Sequence, residues 1–322
     1  MIVSWGLGSL GPVLEEVGSA QPLVVASGRW TDLDLPVEPA GRWTEVPSDR
    51  VDNAAEAARG GDGVLAIGGG SAIDLGKAVS AATGLPLVSV PTTYAGSEWT
   101  PYFGVRDPDR RMRGGGSGAR LAAAVYEPKL TLDLTRAQTV GTAMNALAHC
   151  AEALYVQGRN DEADAHALEG ARLINEFLPR VVDEARDLEL RRGLLRGACE
   201  AGQALGGSML ALGHAMAQAL GGRYGLPHGA LNAICLPAAL RFNEPVAPDA
   251  LRRLGTALGT DDPIGRVEEL GRLGGFERLR DLGVPEDELD EVAEAVVVRP
   301  GAKANPRPAS PEQVAKLLRS VY

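Results

Sequence analysis

The sequence predicts an α/β domain with a parallel sheet over residues 1–134 and an all-helical domain over 135–322. Two observations predict this division. Short apolar runs alternate with helical patterns through the first part of the chain, and the strand signal disappears beyond it. A third observation concerns placement: the turns after the predicted strands are rich in glycine and hydroxyl side chains, where open α/β sheets bind ligands. At 322 residues the chain is long enough for two cores.

QPLVVASG (21–28) reads as a buried strand closing in a turn, and VDNAAEAARGG (51–61) as an amphipathic helix stopped by glycine. GVLAIGGG (63–70) is a second strand running into glycines. SAIDLGKAVSAATG (71–84) is a helix capped by Ser71, and LPLVSVPTT (85–93) is a third strand. Helical segments follow at 136–157, 161–182, 187–221, 226–242, 248–259, 263–272, 286–296 and 310–320. The adjacent Gly206 and Gly207 predict a break in the long segment 187–221. The active site is expected in the cleft between the two domains.

A net charge of −10 argues against nucleic-acid binding, which needs a basic surface to displace counterions from phosphates. No uninterrupted apolar stretch of about 18 residues appears, so no membrane span is expected. The start, MIVSWGLGSLGPVLEEVG, lacks the basic opening and cleavage site of a signal peptide. Cys150, Cys199 and Cys235 lie far apart in apolar segments and read as reduced core residues of a cytoplasmic protein. The apolar MIVSWG is a strand of the kind that pairs across a homodimer.

Three of the four histidines sit in apolar, glycine-rich company: His149 in MNALAHCAEALY, His214 in LGHAMAQALGG and His228 in GLPHGALNAICLP. Asn145 precedes His149 by four residues and Gln218 follows His214 by four, so each pair shares a helix face. Burying this many polar groups without a task costs ~1–3 kcal/mol for each left unpaired. Convergence on a catalytic centre therefore outweighs three separate core histidines. His166, in DEADAHALEG, reads as an exposed helix residue, and Glu152 as a supporting or structural one.

Gly68, Gly69, Gly70 and Ser71 form a strand–turn–helix junction whose open amides and helix dipole suit a pyrophosphate. A tight turn without a ligand is the plainer reading of that signal alone. Asp74 reads as a cofactor contact or a dipole-favoured surface acid. PTTYAGSEWTPYFG (91–104) places Thr92, Thr93, Tyr94 and Ser97 at a strand's carboxyl end, where hydroxyls bond phosphate, ribose or carboxamide unless they only bond the turn itself. From Arg106 to Arg120 five arginines face two aspartates, for a net +3. This segment is either a solvated hairpin tip or a mobile flap whose Arg110, Arg111 or Arg113 pairs with a substrate carboxylate or cofactor phosphate.

Taken in order, GGGSAIDLGK, PTTYAGSEWTP, MNALAHCAEALY and GHAMAQALGGRYGLPHGALNAICLP resemble the iron-containing alcohol dehydrogenase superfamily. Within it, TTYAGSEWTPYFG, VYEPKLT (125–131), Asn145 and NPRPAS (305–310) are similar to the maleylacetate reductases. These reduce the carbon–carbon double bond of a 4-oxo-2-enedioate with NADH or NADPH in aromatic-ring degradation. The resemblance implies a Rossmann-like nucleotide domain and an all-α domain, in the arrangement of dehydroquinate synthase. It gives Gly68, Gly69, Gly70 and Ser71 to the pyrophosphate, and Thr92, Thr93 and Ser97 to the adenosine and nicotinamide portions. Asn145, His149, His214 and His228 take the four positions that hold a divalent metal in the wider family.

The departures from that pattern carry information. Asn145 replaces an aspartate, which removes a charge from a site for a hard dication. A zinc or iron ion on Asn145, His149, His214 and His228 therefore stands against direct bonding of substrate by the same residues. The resemblance to the maleylacetate reductases at Asn145 favours metal-free operation. Gln218 replaces a family histidine and orients substrate without shuttling protons. PHGALNA (227–233) is the form of the general alcohol dehydrogenases.

The expected function is an NAD(P)H-dependent reductase of a small oxo-acid, with His149, His214, His228 and Asn145 catalytic and Tyr94, Arg111, Arg113 and Gln218 toward the substrate. Ser27, Gly28 and Arg29 offer no acid for the ribose, and Arg29 suits a 2′-phosphate, which points to dual use or NADPH. A metal-dependent alcohol or aldehyde dehydrogenase is the alternative within the superfamily. A non-catalytic nucleotide-binding protein is the alternative outside enzymes, and the retained histidines speak against it.

Overall fold

The computed structural model describes residues 1–322. It comprises two compact units, Met1–Thr93 with Ser97–Leu132, and Tyr94–Gly96 with Asp133–Tyr322.

The first unit is built on a six-stranded sheet in the order β1-β8-β5-β4-β2-β3. The strands are β1 (Ile2–Trp5), β2 (Leu23–Ala26), β3 (Gly41–Trp43), β4 (Val64–Gly68), β5 (Pro86–Pro91) and β8 (Arg120–Tyr126). Every pairing in the sheet is parallel. β6 (Phe103–Arg106) and β7 (Met112–Gly116) form a separate antiparallel hairpin. The helices are α1 (Leu10–Val17), α2 (Val51–Ala57) and α3 (Gly70–Thr83).

β4 is apolar along its whole length because both faces of a parallel sheet are covered. Its side chains alternate between two cores. Leu65 and Ile67 join Leu10, Val13 and Leu14 of α1 on one face. Val64 and Ala66 join Ala54 of α2 and Leu75 and Val79 of α3 on the other. Each buried leucine or isoleucine contributes ~1.5–3 kcal/mol of transfer free energy. Gly76 lets α3 lie close to the sheet, since a Cβ there would come within 2.7 Å of the Ala66 Cβ.

The expectation that Ser71 caps α3 is corrected. The cap position is Gly69, in an extended conformation with no side-chain cap, and the helix begins at Gly70. Without a capping side chain, the amides of Gly70 and Ser71 are left for another partner, while that of Ala72 donates to the Gly69 carbonyl at 3.0 Å. β1 lies in MIVSWG, expected as a strand, and the β6–β7 hairpin takes in the start of the segment read as a hairpin tip or a flap, while β3 and β8 add to the strands expected.

The second unit is helical throughout. Its helices are α4 (Arg136–Ala153), α5 (Asp161–Asp183), α6 (Leu188–Gly207), α7 (Leu212–Tyr224), α8 (His228–Asn243), α9 (Pro248–Leu258), α10 (Pro263–Arg272), α11 (Leu289–Val297), α12 (Pro300–Ala304) and α13 (Pro311–Ser320). A capping box starts α4: the Gln138 amide donates to Thr135 Oγ1 at 3.2 Å, and the Thr135 amide donates to Gln138 Oε1 at 3.0 Å. α4 is buried along most of its length and packs against α5, α6 and α8. The segment expected to break near Gly206–Gly207 divides there, α6 ending at Gly207 and α7 starting at Leu212. The three cysteines are buried and free, and burial pushes the thiols of Cys150 and Cys235 well up. No helix is long and apolar enough to cross a membrane.

Candidate active site

Three helices of the second unit bring the histidines together. α4 supplies Asn145 and His149 one turn apart, α7 supplies His214 in its first turn, and α8 opens on His228. The rings of His149 and His214 stack with centroids 4.7 Å apart and planes 15° from parallel. The His228 ring lies 5.7 Å from that of His214 and is tilted by 52°. Burial, followed by the proximity of His214 and His228, holds the His149 imidazole well below its usual range. His149 is therefore neutral at physiological pH, and its Nδ1 and the Nε2 of His214 are buried without a hydrogen-bond partner.

Glu152 fixes His214. Its carboxylate accepts the Ala211 amide at 2.7 Å, the His214 amide at 3.1 Å and His214 Nδ1 at 2.7 Å. One side chain thus caps the start of α7 and sets the tautomer of a residue in its first turn. Gly213 makes room for it, since a Cβ there would come within 2.9 Å of Glu152 Oε1. With Nδ1–H committed to the carboxylate, Nε2 is the nitrogen that meets any ligand.

Asn145 is held by a different network. Its Nδ2 donates to the Ala95 carbonyl at 2.9 Å, so its Oδ1 faces the other way and accepts from Asn232 Nδ2 at 2.7 Å. The same Asn232 nitrogen reaches His228 Nε2 at 3.1 Å. Asn232 was absent from the residues singled out in the sequence, although its i,i+4 spacing to His228 repeats the pattern of the other two pairs. The Ala95 contact, with the Tyr94 amide donating to Thr142 Oγ1 at 3.3 Å, ties Tyr94–Gly96 to α4. Gln218 is half-buried one turn beyond His214.

The first unit holds the glycine junction. Thr92 N–H donates to the Gly68 carbonyl at 2.9 Å, which stitches the turn after β5 to the turn after β4. A Cβ on Gly69 would strike Thr93 Cγ2 at 2.8 Å, whereas one on Gly70 would meet nothing within 4 Å. Gly68 has φ +151°, a conformation that side chains other than glycine rarely adopt. The uncapped first turn beside open space at Gly70 fits a phosphate group.

The remaining predicted residues have protein partners. Asp74 accepts from Ser97 Oγ at 2.8 Å and the Gly104 amide at 3.2 Å, and pairs with Lys77 Nζ at 3.0 Å, so it braces the loop against the hairpin. Tyr94 is fully buried, its hydroxyl accepting from Arg191 Nη1 at 3.0 Å, which places the ring in the packing of the helical unit. Arg113 is paired with Asp107 inside the hairpin, and Arg111 is exposed at its turn. The Arg29 guanidinium lies 4.8 Å over the Trp30 ring. His166 Nδ1 meets Glu200 Oε2 at 2.6 Å.

Comparison with known proteins gives the family. Residues 7–126 match the family model "Iron-containing alcohol dehydrogenase", and residues 139–322 match "Fe-containing alcohol dehydrogenase family, C-terminal". A maleylacetate reductase of Pseudomonas knackmussii is 36% identical over 329 residues, covering 98% of this chain and 93% of its own. The crystal structure of maleylacetate reductase from a Rhizobium species superposes with a TM-score of 0.89 at 31% identity, covering 100% of this chain and 95% of that one. An iron-containing alcohol dehydrogenase of Corynebacterium glutamicum also gives 0.89 at 31% identity, covering 100% and 94%. The chain belongs to the iron-containing alcohol dehydrogenase family and is an NAD(P)-dependent oxidoreductase close to the maleylacetate reductases.

The family's metal ion does not fit the side chains as they stand. No carboxylate is among Asn145, His149, His214 and His228. The Asn145 oxygen and His228 Nε2 both face the Asn232 amide.

Proposed function

We propose that the chain reduces the activated double bond of a small 4-oxo-2-enedioate with NADH or NADPH, as a maleylacetate reductase of aromatic-compound degradation. The observation that carries this reading is His214, clamped through Nδ1 by the buried carboxylate of Glu152, with Nε2 unpartnered and neutral His149 stacked beside it. When bound, the reduced nicotinamide supplies a hydride to the alkene carbon β to the ketone.

The chain's own residues then manage charge and protons. The alkene electron pair moves onto the ketone oxygen, and as the carbonyl re-forms the α carbon takes up one proton from solvent, which completes the saturated oxo-diacid. His214 presents Nε2 toward the reacting carbonyl, with the Glu152 carboxylate on Nδ1 holding the ring in place. His149 stays neutral, so the stacked pair avoids two adjacent cations. His228, held by Asn232, and Gln218 orient the substrate. Arg111, exposed at the hairpin turn, serves a substrate carboxylate, with Arg113 held beside it by Asp107. Gly68–Ser71 carry the pyrophosphate, with Thr92, Thr93 and Ser97 nearby.

Arg29 supports acceptance of NADPH as well as NADH. We place the enzyme in the cytoplasm as a homodimer joined at β1, an edge strand on which Val3 is 38% exposed, with Met1 before it 47% exposed. The test is a His214→Gln variant assayed with a 4-oxo-2-enedioate. Turnover should fall ~10²–10⁴-fold while NAD(P)H still binds, and retention of turnover would remove the assignment.

A further inference from the structure

We propose that Arg191 is a positioning residue for the reduction: through the Tyr94 hydroxyl it holds the segment Tyr94–Gly96 against α4, and so sets where Asn145 and His149 point. The effect on turnover rests on the reductase reading above; the effect on the His149 ring does not.

The backbone of the segment meets the site at three places. The Tyr94 amide donates to Thr142 Oγ1 at 3.3 Å, and the Ala95 carbonyl accepts from Asn145 Nδ2 at 2.9 Å. Gly96, at φ +71°, sits where a Cβ would come within 3.3 Å of Gly202 Cα and 3.5 Å of His149 Nδ1. Its backbone thus lies between α6 and the His149 ring, beside the ring nitrogen that has no hydrogen-bond partner. The first of these contacts is long for a hydrogen bond and the third is packing alone, so the Tyr94 side chain carries much of the anchorage.

That anchor is Arg191. Its Nη1 donates to the Tyr94 hydroxyl at 3.0 Å and its Nε to the Ala185 carbonyl, in the turn between α5 and α6, at 2.7 Å. Bonds from a charged donor are about twice as strong as neutral ones, and Arg191 and Tyr94 are 1% and 0% exposed. The planar guanidinium keeps both bonds in one geometry. Its base is also fixed, since Asp187 caps the start of α6 through the Glu189 and Leu190 amides. If the Tyr94 hydroxyl is released, Asn145 loses the fixed acceptor of its Nδ2. Asn145 Oδ1 meets Asn232 Nδ2 at 2.7 Å, and that nitrogen meets His228 Nε2 at 3.1 Å, so the displacement passes on to His228. A misplacement of about 1 Å costs on the order of 10²-fold in rate. Arg191 is closed to substrate and acts through Tyr94.

The test is Tyr94→Phe, which keeps the ring and removes the acceptor, together with Arg191→Met and the double variant. In steady-state reduction of a 4-oxo-2-enedioate, each single variant should lower kcat by about 10–100-fold. KM for NAD(P)H should hold, because the Thr92 amide keeps its own bond to the Gly68 carbonyl at 2.9 Å. The double variant should be no slower than the slower single one, since all three break the same bond. Losses that multiply, or an unchanged kcat in Tyr94→Phe, would overturn the proposal. The ¹H–¹³C spectrum of the histidine rings gives a reading without turnover. The His149 signals, assigned by their disappearance in His149→Gln, should shift in Tyr94→Phe, and unshifted signals in the folded variant would overturn the proposal. If one single variant does not fold, the other carries both measurements. A shift in a protein that does not reduce the enedioate would support the positioning role and remove the reductase reading.

Discussion

Glu152 Oε2 and His214 Nδ1 lie 2.7 Å apart with both side chains closed off from solvent, and the same carboxylate caps the backbone of α7. A carboxylate so placed fixes the orientation of the imidazole ring. Glu152→Gln should lower kcat by about 10–100-fold, the usual effect of removing a residue that supports a functional histidine. KM for NAD(P)H should not change, and the pH profile of kcat should shift. A purely structural role would instead lower the melting temperature and leave that profile in place.

Gly69 is a packing requirement as much as a ligand-facing one. Gly69→Ala should cost about 1–3 kcal/mol in denaturant unfolding and raise KM for NAD(P)H, because the new Cβ would meet Thr93 Cγ2 at 2.8 Å. Thr93→Ser removes that methyl, so the double variant should recover much of both losses. Failure of rescue would locate the requirement in the ligand instead of in Thr93.

Asp74 and Lys77 should prove structural. Lys77 is 1% exposed and relies on Asp74 at 3.0 Å and the Tyr102 carbonyl at 2.7 Å. Asp74→Asn removes the carboxylate paired with a buried ammonium, so unfolding should become easier by about 1–3 kcal/mol. Asp74→Asn with Lys77→Met should be more stable than Asp74→Asn alone.

Glu98 gives a pH signature of stability. Burial raises its carboxyl above 4.5, against the opposing hydrogen bond from Tyr126. The folded state thus binds this proton more tightly than the unfolded one. The resulting stability is complete below about 4.5 and declines as pH rises through the folded value. Glu98→Gln should flatten that decline between mildly acidic and neutral pH, as read from denaturant midpoints at several pH values. An unchanged slope would mean Glu98 ionises freely in the folded protein.

Much of this was legible in the sequence, for reasons that can be named. The buried strands 21–28, 63–70 and 85–93 announced themselves by apolar runs ending in glycine or hydroxyl residues, and the histidines by their polar i,i+4 companions. β8 was not legible, because RLAAAVY reads equally as helix until its partners β1 and β5 are known. Asp74 looked like a ligand contact because the sequence could not show that Ser97, Gly104 and Lys77 converge on it. Tyr94 looked available until Arg191, nearly a hundred positions away, was seen to hold its hydroxyl. Asn232 carried the same spacing signal as Asn145 and Gln218, but its partnership with Asn145 is a tertiary one.

The most direct test of the reductase reading is a steady-state comparison on chelator-treated protein. Oxidation of NADH and of NADPH would be followed with maleylacetate, with simple aldehydes, and in reverse with alcohols. The account predicts efficient, metal-independent reduction of the enedioate and little turnover of the others. Alcohol oxidation that needs added iron, with no reduction of the enedioate, would contradict it.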